Sequence, residues 1–81
     1  MENTVKINLE NLKGLSFANK CSLAISLNTS AETLDKLSKD KDSNVRCRVV
    51  RNKNTSAETL DRLSKDKYSM IRQCVAKNKN T

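Results

Sequence analysis

The sequence contains no proline, no histidine and no tryptophan, and it has a single glycine, Gly14. Because β-sandwiches and barrels depend on many tight turns, this scarcity argues against them and favours short helices. Phe17 and Tyr68 are the only aromatic residues, so a core must be built from Leu, Val, Ile and Ala side chains. The absence of histidine removes the usual general base and the commonest metal ligand.

The chain also lacks a long apolar segment. Residues 1–14 alternate polar and apolar side chains without the apolar run of a signal peptide. No stretch approaches the roughly 18 apolar residues that a membrane span needs. We therefore expect a cytoplasmic protein with reduced thiols and no membrane partner. The formal net charge of +7 favours acidic partners but determines no fold.

The main feature of the sequence is an internal repeat. Residues 28–53 and 54–79 are identical at 18 of the 26 aligned positions, and residues 80–81 begin a further copy. Self-similarity at a fixed period of about 20–50 residues is typical of solenoids. The sequence predicts one all-α domain over residues 1–81, a short α-solenoid of about two and a half repeats. Residues 1–27 are then a degenerate N-terminal capping repeat.

Each copy predicts two short helices, of which the first begins at a capping box. In the first copy Thr29 and Glu32 have the spacing that lets each side chain bond the backbone amide of the other. Leu34 and Leu37 follow with helical spacing and form a narrow apolar stripe. The same pattern starts again at Thr55.

The second helix of each copy carries the larger apolar face. In the first copy Ser43 is the predicted N-cap, and Val45, Val49 and Val50 lie on one side of the helix. We expect the helix to end at Asn52, since asparagine tolerates the left-handed conformation that closes a helix. The matching positions of the second copy are Ser69, Ile71, Val75, Ala76 and Asn78.

Two arginines fall within the buried arc of the second helices. Arg46 and Arg72 stand among apolar positions, and a buried guanidinium needs a polar partner. Asp40 and Asp66, each six residues upstream, are the candidates. The sequence predicts a polar ladder of Asp40–Arg46 and Asp66–Arg72 pairs, with a structural role rather than a binding one.

Residues 1–27 match the repeat only in part. Lys20, Leu23 and Ala24 align with positions 46, 49 and 50 of the first copy, and we expect this divergent unit to cover one end of the stack. The other end has no such cap, so either the array continues or another molecule covers the last helix. Further upstream, the apolar residues at roughly helical spacing are Ile7, Leu9, Leu12 and Leu15.

The repeat pattern V-R-x-x-V-x-x-N-x-N-T-x-x-E-x-L-x-x-L-x-x-D runs from Val45 to Asp66 and restarts at Ile71. It resembles the leucine-rich repeat variant family, whose repeats are similar to HEAT repeats, over about residues 19–81. This resemblance implies a right-handed superhelix in which α and 3₁₀ segments alternate. The prolines common around the family's Asn-Thr turn are replaced here, for example by Lys53, which predicts looser turns. The iron–sulfur cluster of some members has no matching cysteine motif, and the family name implies no function.

The cysteines give no sign of a metal site. Cys21 and Cys47 occupy equivalent repeat positions, Cys74 lies one position further on, and the three form no C-x-x-C motif. In neighbouring layers about 10 Å apart we expect them to lie too far from one another for a disulfide. The sequence therefore predicts neither a metal nor a cofactor.

Catalytic motifs are equally scarce. The sequence has no glycine-rich phosphate loop and no nucleophile elbow. Acidic residues that look like paired catalytic acids are placed in first helical turns, where they favour the helix dipole. These residues are Glu32, Asp35, Glu58 and Asp61. We predict that the chain is not an enzyme.

Charge is distributed unevenly within each copy. Residues 28–42 have a net charge of −1 and residues 43–53 of +4, and residues 54–66 and 67–79 repeat this division. The second helices and the turns around them therefore predict a basic stripe, which is a candidate site for a protein partner or a polyanion. The alternative interpretation of the basic stripe is a solvated face that keeps a small protein soluble. The basic stripe consists of Arg48, Arg51, Lys53, Lys67, Lys77 and Lys79.

These features predict a non-enzymatic protein–protein interaction or scaffold module with an unidentified partner. Self-association through the uncapped C-terminal repeat, at Ile71, Val75 and Ala76, is included in this prediction. The alternative is non-specific nucleic-acid binding through the basic stripe, which would rest on phosphate contacts. The near absence of aromatic residues argues against single-strand recognition.

Overall fold

Five α-helices make up most of residues 14–78, the part of the chain that the computed structural model describes. Over this range there is no β-strand, so the predicted all-α class is confirmed. The helices are α1 (Phe17–Ile25), α2 (Ala31–Leu37), α3 (Ser43–Arg51), α4 (Ala57–Leu63) and α5 (Ser69–Lys77).

The two sequence copies adopt the same local structure. The bounds of α4 and α5 are those of α2 and α3 moved along the chain by one full repeat. Both helices of each copy are α-helices, so the alternation with 3₁₀ segments that the resemblance implies is not found at these positions. Four-residue hydrogen bonds close the short helix α2, such as Leu34 N to Ser30 O at 3.0 Å and Ser38 N to Leu34 O at 2.8 Å. No proline interrupts this pattern.

The first helix of each copy begins one residue later than predicted. Ser30 is the N-cap of α2, and its Oγ accepts a hydrogen bond from Thr33 N at 3.2 Å. The predicted capping box of Thr29 and Glu32 is therefore wrong. The Thr29 hydroxyl instead donates to Leu23 O at 2.6 Å and satisfies a carbonyl near the end of α1. Ser56 and Thr55 repeat this division of roles, as Thr55 Oγ1 donates to Val49 O at 2.5 Å.

The predicted caps of the second helices are also displaced. Asp42 caps α3 by accepting from Asn44 N at 2.8 Å, and Ser43 is the first helical residue. Tyr68 stands at the same position before α5 and makes no side-chain cap bond. Asn52 does end α3, but its backbone is extended (φ −80°, ψ 132°) rather than left-handed, and its side chain bonds to the Ala24 carbonyl of α1.

The longer helices form the centre of the fold. α1, α3 and α5 pack side by side in chain order, while α2 lies against α1 and α3, and α4 against α3 and α5. Leu15 and Leu23 pack at the margin of this core, and Ile7, Leu9 and Leu12 fall outside the described residues. The buried apolar residues are Ala24, Leu34, Leu37, Val45, Cys47, Val49, Val50, Leu60, Leu63, Ile71 and Val75.

The surface predicted for self-association requires a correction. Ile71 and Val75 are 0% and 2% exposed because they belong to the chain's own core. Of the three residues predicted for that surface, only Ala76 is exposed. Ile71 and Val75 are thus already used inside the fold, whereas Met70 of the same helix is 47% exposed. None of the helices within residues 14–78 has the length and apolar character that crossing a membrane requires.

Candidate interaction surface

A buried ion pair joins the first copy to the second. Arg46 Nε lies 2.8 Å from Asp66 Oδ2, and Arg46 Nη2 donates to Asp66 Oδ1 at 3.2 Å. Both side chains are 8% exposed. The remaining nitrogen, Nη1, donates to the carbonyl oxygens of Asp40 at 2.7 Å and Lys41 at 3.0 Å. The guanidinium therefore bonds its own copy through backbone oxygens and the next copy through a carboxylate.

The predicted Asp40–Arg46 side-chain pair is wrong. The Asp40 carboxylate instead accepts from Lys20 Nζ at 2.7 Å. Lys20 occupies in α1 the position that Arg46 occupies in α3, and both cations pair with the equivalent aspartate of the unit that follows. We call Lys20–Asp40 and Arg46–Asp66 the inter-copy clamps. Each clamp connects a second helix to the turn of the following copy.

Arg72 lies at the next position of this series, on α5. Its Nη1 donates to Asp66 O at 2.6 Å, as Arg46 Nη1 does to Asp40 O. The predicted Asp66–Arg72 ion pair is wrong, because the Asp66 carboxylate is held by Arg46. The Arg72 side chain is exposed, and no carboxylate within residues 14–78 forms an ion pair with it.

The clamps lower the pKa values of both carboxyl groups. For Asp66, burial alone would raise the pKa, but hydrogen bonds from Arg46 and the Tyr68 amide, together with the Arg46 charge, outweigh it. For Asp40, burial alone would also raise the pKa, but hydrogen bonds from Lys20 and the Asp42 amide outweigh this effect and lower the pKa. Both groups are therefore stabilised in their ionised form by the folded chain.

Acid should weaken the fold through these groups. A carboxyl whose pKa is lower in the folded chain than its ordinary value of 3.8 stabilises the fold above that value. This stabilisation disappears as the pH falls through the lower folded pKa. We expect the melting temperature to be steady down to about pH 5 and to fall below about pH 4.

The measurement is thermal unfolding followed by circular dichroism across that range. The Asp66→Asn variant should show a shallower acid-induced fall than the unchanged chain. Asp61→Asn is the control, since the Asp61 side chain is 73% exposed. Parallel acid profiles for the unchanged chain and Asp66→Asn would contradict the assignment.

A second set of links between copies consists of asparagine amides, which the sequence reasoning missed. Asn52 Nδ2 donates to Ala24 O at 2.8 Å and to Ser26 O at 2.9 Å, satisfying carbonyls at the end of α1. Asn78 Nδ2 donates to Val50 O in the same way at the end of α3. The available signal was the repetition of asparagine at equivalent positions of the two copies.

The short helices are linked by polar side chains. Asp35 of α2 accepts from Thr59 Oγ1 at 2.8 Å and from the Arg62 guanidinium, both on α4. The hydrogen bond from Arg62 is the main cause that lowers the Asp35 pKa. Asp35 is therefore a link between copies. The first turns of α2 and α4 contain Glu32 and Glu58 but neither Asp35 nor Asp61, so the prediction of a first-turn position is wrong for these two aspartates.

The basic stripe is only partly a continuous surface. Arg51 and Lys77 are exposed at equivalent positions of the packed helices α3 and α5. Arg48 is half-buried, and its Nη1 donates to Asn44 O at 3.1 Å. Lys53 and Lys67 are exposed in the turns, the latter with Nζ 5.5 Å from the Tyr68 ring centroid, and Lys79 lies outside the described residues.

The cysteine prediction is wrong for one pair. Cys47 Sγ on α3 and Cys74 Sγ on α5 are 3.3 Å apart. Cys47 is 7% exposed, whereas Cys74 and Cys21 are half-buried. Burial is the main cause that raises the Cys47 pKa, and the neighbouring Cys74 thiol adds to it, against the opposing charges of Arg51 and Arg48. No group of three or more potential metal ligands occurs among the described residues.

Equivalent positions of α3 and α5 differ in exposure. Arg46, Cys47 and Val50 of α3 are 7%, 7% and 0% exposed. Their counterparts on α5 are all exposed, and we call them the α5 face: Arg72, Gln73 and Ala76.

Comparisons with protein-family models, curated proteins and solved structures found no match.

Proposed function

We propose that the chain is a short right-handed α-solenoid in which each copy is one layer. The support is the identical helix pattern of the two copies and the packing of α1, α3 and α5 in chain order. The inter-copy clamps, which recur at the same positions, agree with it. An elongated shape of 39 × 22 × 17 Å is also what stacked layers would give.

We further propose that this solenoid is a non-enzymatic module that binds an acidic protein partner on the α5 face. The observation that carries the proposal is the exposure of Arg72, whose counterpart Arg46 is buried against a carboxylate. One guanidinium nitrogen of Arg72 donates to the carbonyl of its own turn, and its other donors face a potential partner. An exposed cation next to a small residue, Ala76, suits a helix that approaches closely and brings a carboxylate.

Charge argues against a second copy as the partner. Helix α5 carries Arg72 and Lys77 and no acidic residue, so a second copy that docked through the same face would offer Arg72 no carboxylate and would add like charges to the interface. Like charges brought together at an interface cost several kcal/mol. A partner with acidic residues has no such cost.

Site-specific photo-crosslinking tests this function. A photoreactive amino acid replaces Gln73 on the α5 face, and the cross-linked species are identified by mass spectrometry. We expect cross-links to an acidic protein surface. Arg72→Glu should reduce them about thirtyfold or more, which is the loss for removing one partner of a buried ion pair.

The matched control is Lys36→Glu, which makes the same type of charge reversal on the exposed surface of α2. It should leave the cross-links intact. Equal loss with both variants, or no cross-link specific to position 73, would contradict the proposed site.

Non-specific nucleic-acid binding is the second candidate, favoured by the exposure of Arg51 and Lys77 on neighbouring helices. In the same experiment it predicts cross-linked species that nuclease removes and that weaken steeply with salt. Arg51→Glu with Lys77→Glu should abolish them, whereas Arg72→Glu alone should reduce them only in part. The two functions are therefore distinguished by the variant and by the nuclease.

A further inference from the structure

The two thiols at the joint between α3 and α5 are in direct contact. Cys47 Sγ and Cys74 Sγ lie 3.3 Å apart, each on a nine-residue helix of the packed core. A disulfide needs a sulfur separation of about 2.05 Å, so the atoms must approach by little more than about 1 Å. We propose that Cys47 and Cys74 form an oxidative modification site, at which hydroperoxides convert the dithiol into a disulfide that links the two copies.

The pair exists because the repeat is broken at two neighbouring positions. Cys47 corresponds to Gln73 in the second copy, and Cys74 corresponds to Arg48 in the first. Cys21 is the equivalent of Cys47 one repeat earlier. The equivalent of Cys74 one repeat earlier is Arg48, so Cys21 has no cysteine at the matching position of the next unit. The thiol pair is therefore confined to the α3–α5 joint.

The difference in exposure assigns an order to the chemistry. Cys74 is half-buried and meets the oxidant, while Cys47 lies beneath it at 7% exposure. The Cys74 thiol gives up its proton and its sulfur attacks the hydroperoxide, the O–O bond breaks, a sulfenic acid forms, and the departing hydroxide or alkoxide takes up that proton to leave as water or an alcohol. The Cys47 thiol then attacks Cys74 Sγ and gives up its proton to the departing hydroxide, so that the S–S bond forms, the S–O bond breaks and water leaves. Two thiols are oxidised and one hydroperoxide is reduced.

The position of Cys47 beneath Cys74 favours disulfide formation over further oxidation of the Cys74 sulfenic acid. Its thiol touches Cys74 Sγ before any oxidant arrives, so the sulfenic acid forms next to its resolving group. An intramolecular reaction between groups held in contact has a large kinetic advantage over attack by a second peroxide from solution. The disulfide would close the loop between positions 47 and 74 and fix α5 against α3.

The test uses the reduced full-length chain and hydrogen peroxide. After brief oxidation at low protein concentration, remaining thiols are alkylated, and the intact mass and unreduced peptides are analysed. We expect a monomer that has lost two hydrogen atoms, one peptide linking Cys47 to Cys74, and alkylation of Cys21. We also expect the melting temperature of the oxidised chain to rise by about 10 °C.

Three variants keep this test decisive. Cys21→Ser should form the same link at the same rate, whereas Cys47→Ser and Cys74→Ser should form none. A product with three alkylated thiols, a sulfinic acid at Cys74, or a disulfide that involves Cys21 would overturn the proposal. Because Cys21→Ser retains both thiols of the site, the result does not depend on the folding of the other two variants.

Discussion

Replacing Arg46 by methionine should destabilise the chain by about 3–5 kcal/mol, the usual cost of removing one partner of a buried ion pair. The change leaves the buried Asp66 carboxylate without its cation and deprives the Asp40 and Lys41 carbonyls of their donor. The measurement is urea unfolding followed by circular dichroism. A domain of this size has a total stability of about 5–10 kcal/mol, so the variant should lose about a third or more of it.

Arg72→Met is the matched control. It is the same substitution at the equivalent position of the second copy, where the side chain is exposed. We expect a change within about 0.5 kcal/mol. Equal destabilisation by the two substitutions would mean that Asp66 pairs with Arg72 in solution as much as with Arg46.

Asn52→Leu should destabilise the chain by about 2–4 kcal/mol. The asparagine amide donates to two carbonyls at the end of α1, and its oxygen accepts from Asn54 N at 2.8 Å. Asn52 is 5% exposed, so leucine of similar size would remove the partner of all three backbone groups and would leave the buried Ala24 carbonyl without a donor. Thermal and urea unfolding both report the loss.

The control for this change is Asn44→Leu on the same helix. The Asn44 side chain is exposed, and we expect an effect within about 0.5 kcal/mol. If Asn52→Leu were as mild as Asn44→Leu, the links from Asn52 to α1 would contribute little, and the joint between those helices would depend on apolar packing alone.

The helices and much of the core could be predicted from the sequence, because two nearly identical copies show the same apolar spacing twice. Val45, Val49 and Val50 are buried as their positions around the helix predicted. Leu34 and Leu37 are buried as well. Periodicity reports which side of a helix faces the core, and in a repeat protein it does so independently in each copy.

The partners of the charged residues could not be predicted in the same way. Asp40 and Asp42 lie shortly upstream of Arg46, and the equivalent of Asp40 in the next copy is Asp66. Nothing in the sequence chooses between the aspartate of the same copy and that of the next. Within the copy, the guanidinium reaches the Asp40 carbonyl rather than its carboxylate, because Lys20 already holds that carboxylate. Only the three-dimensional stacking of the copies distinguishes the two pairings.

The contact between Cys47 and Cys74 was missed for a geometric reason. Equivalent positions in neighbouring layers are separated by the packing distance of helices, about 10 Å. These cysteines are not equivalent, since Cys74 is one position further along and is turned by about 100°. Because of that rotation, the Cys47 side chain of α3 lies towards α5 and the Cys74 side chain of α5 lies towards α3. Their sulfur atoms are therefore 3.3 Å apart.

The central claim is that the Asp66 carboxylate pairs with Arg46 of the preceding copy, which leaves Arg72 available to a partner. A double-mutant cycle on Arg46 and Asp66 tests this claim most directly. The four proteins are the unchanged chain, Arg46→Met, Asp66→Asn and the double variant, each measured by urea unfolding. We predict a coupling free energy of about 1.5–3 kcal/mol for Arg46 with Asp66. The same cycle on Arg72 with Asp66 should give less than about 0.5 kcal/mol. Coupling of Asp66 to Arg72 rather than to Arg46 would contradict the account.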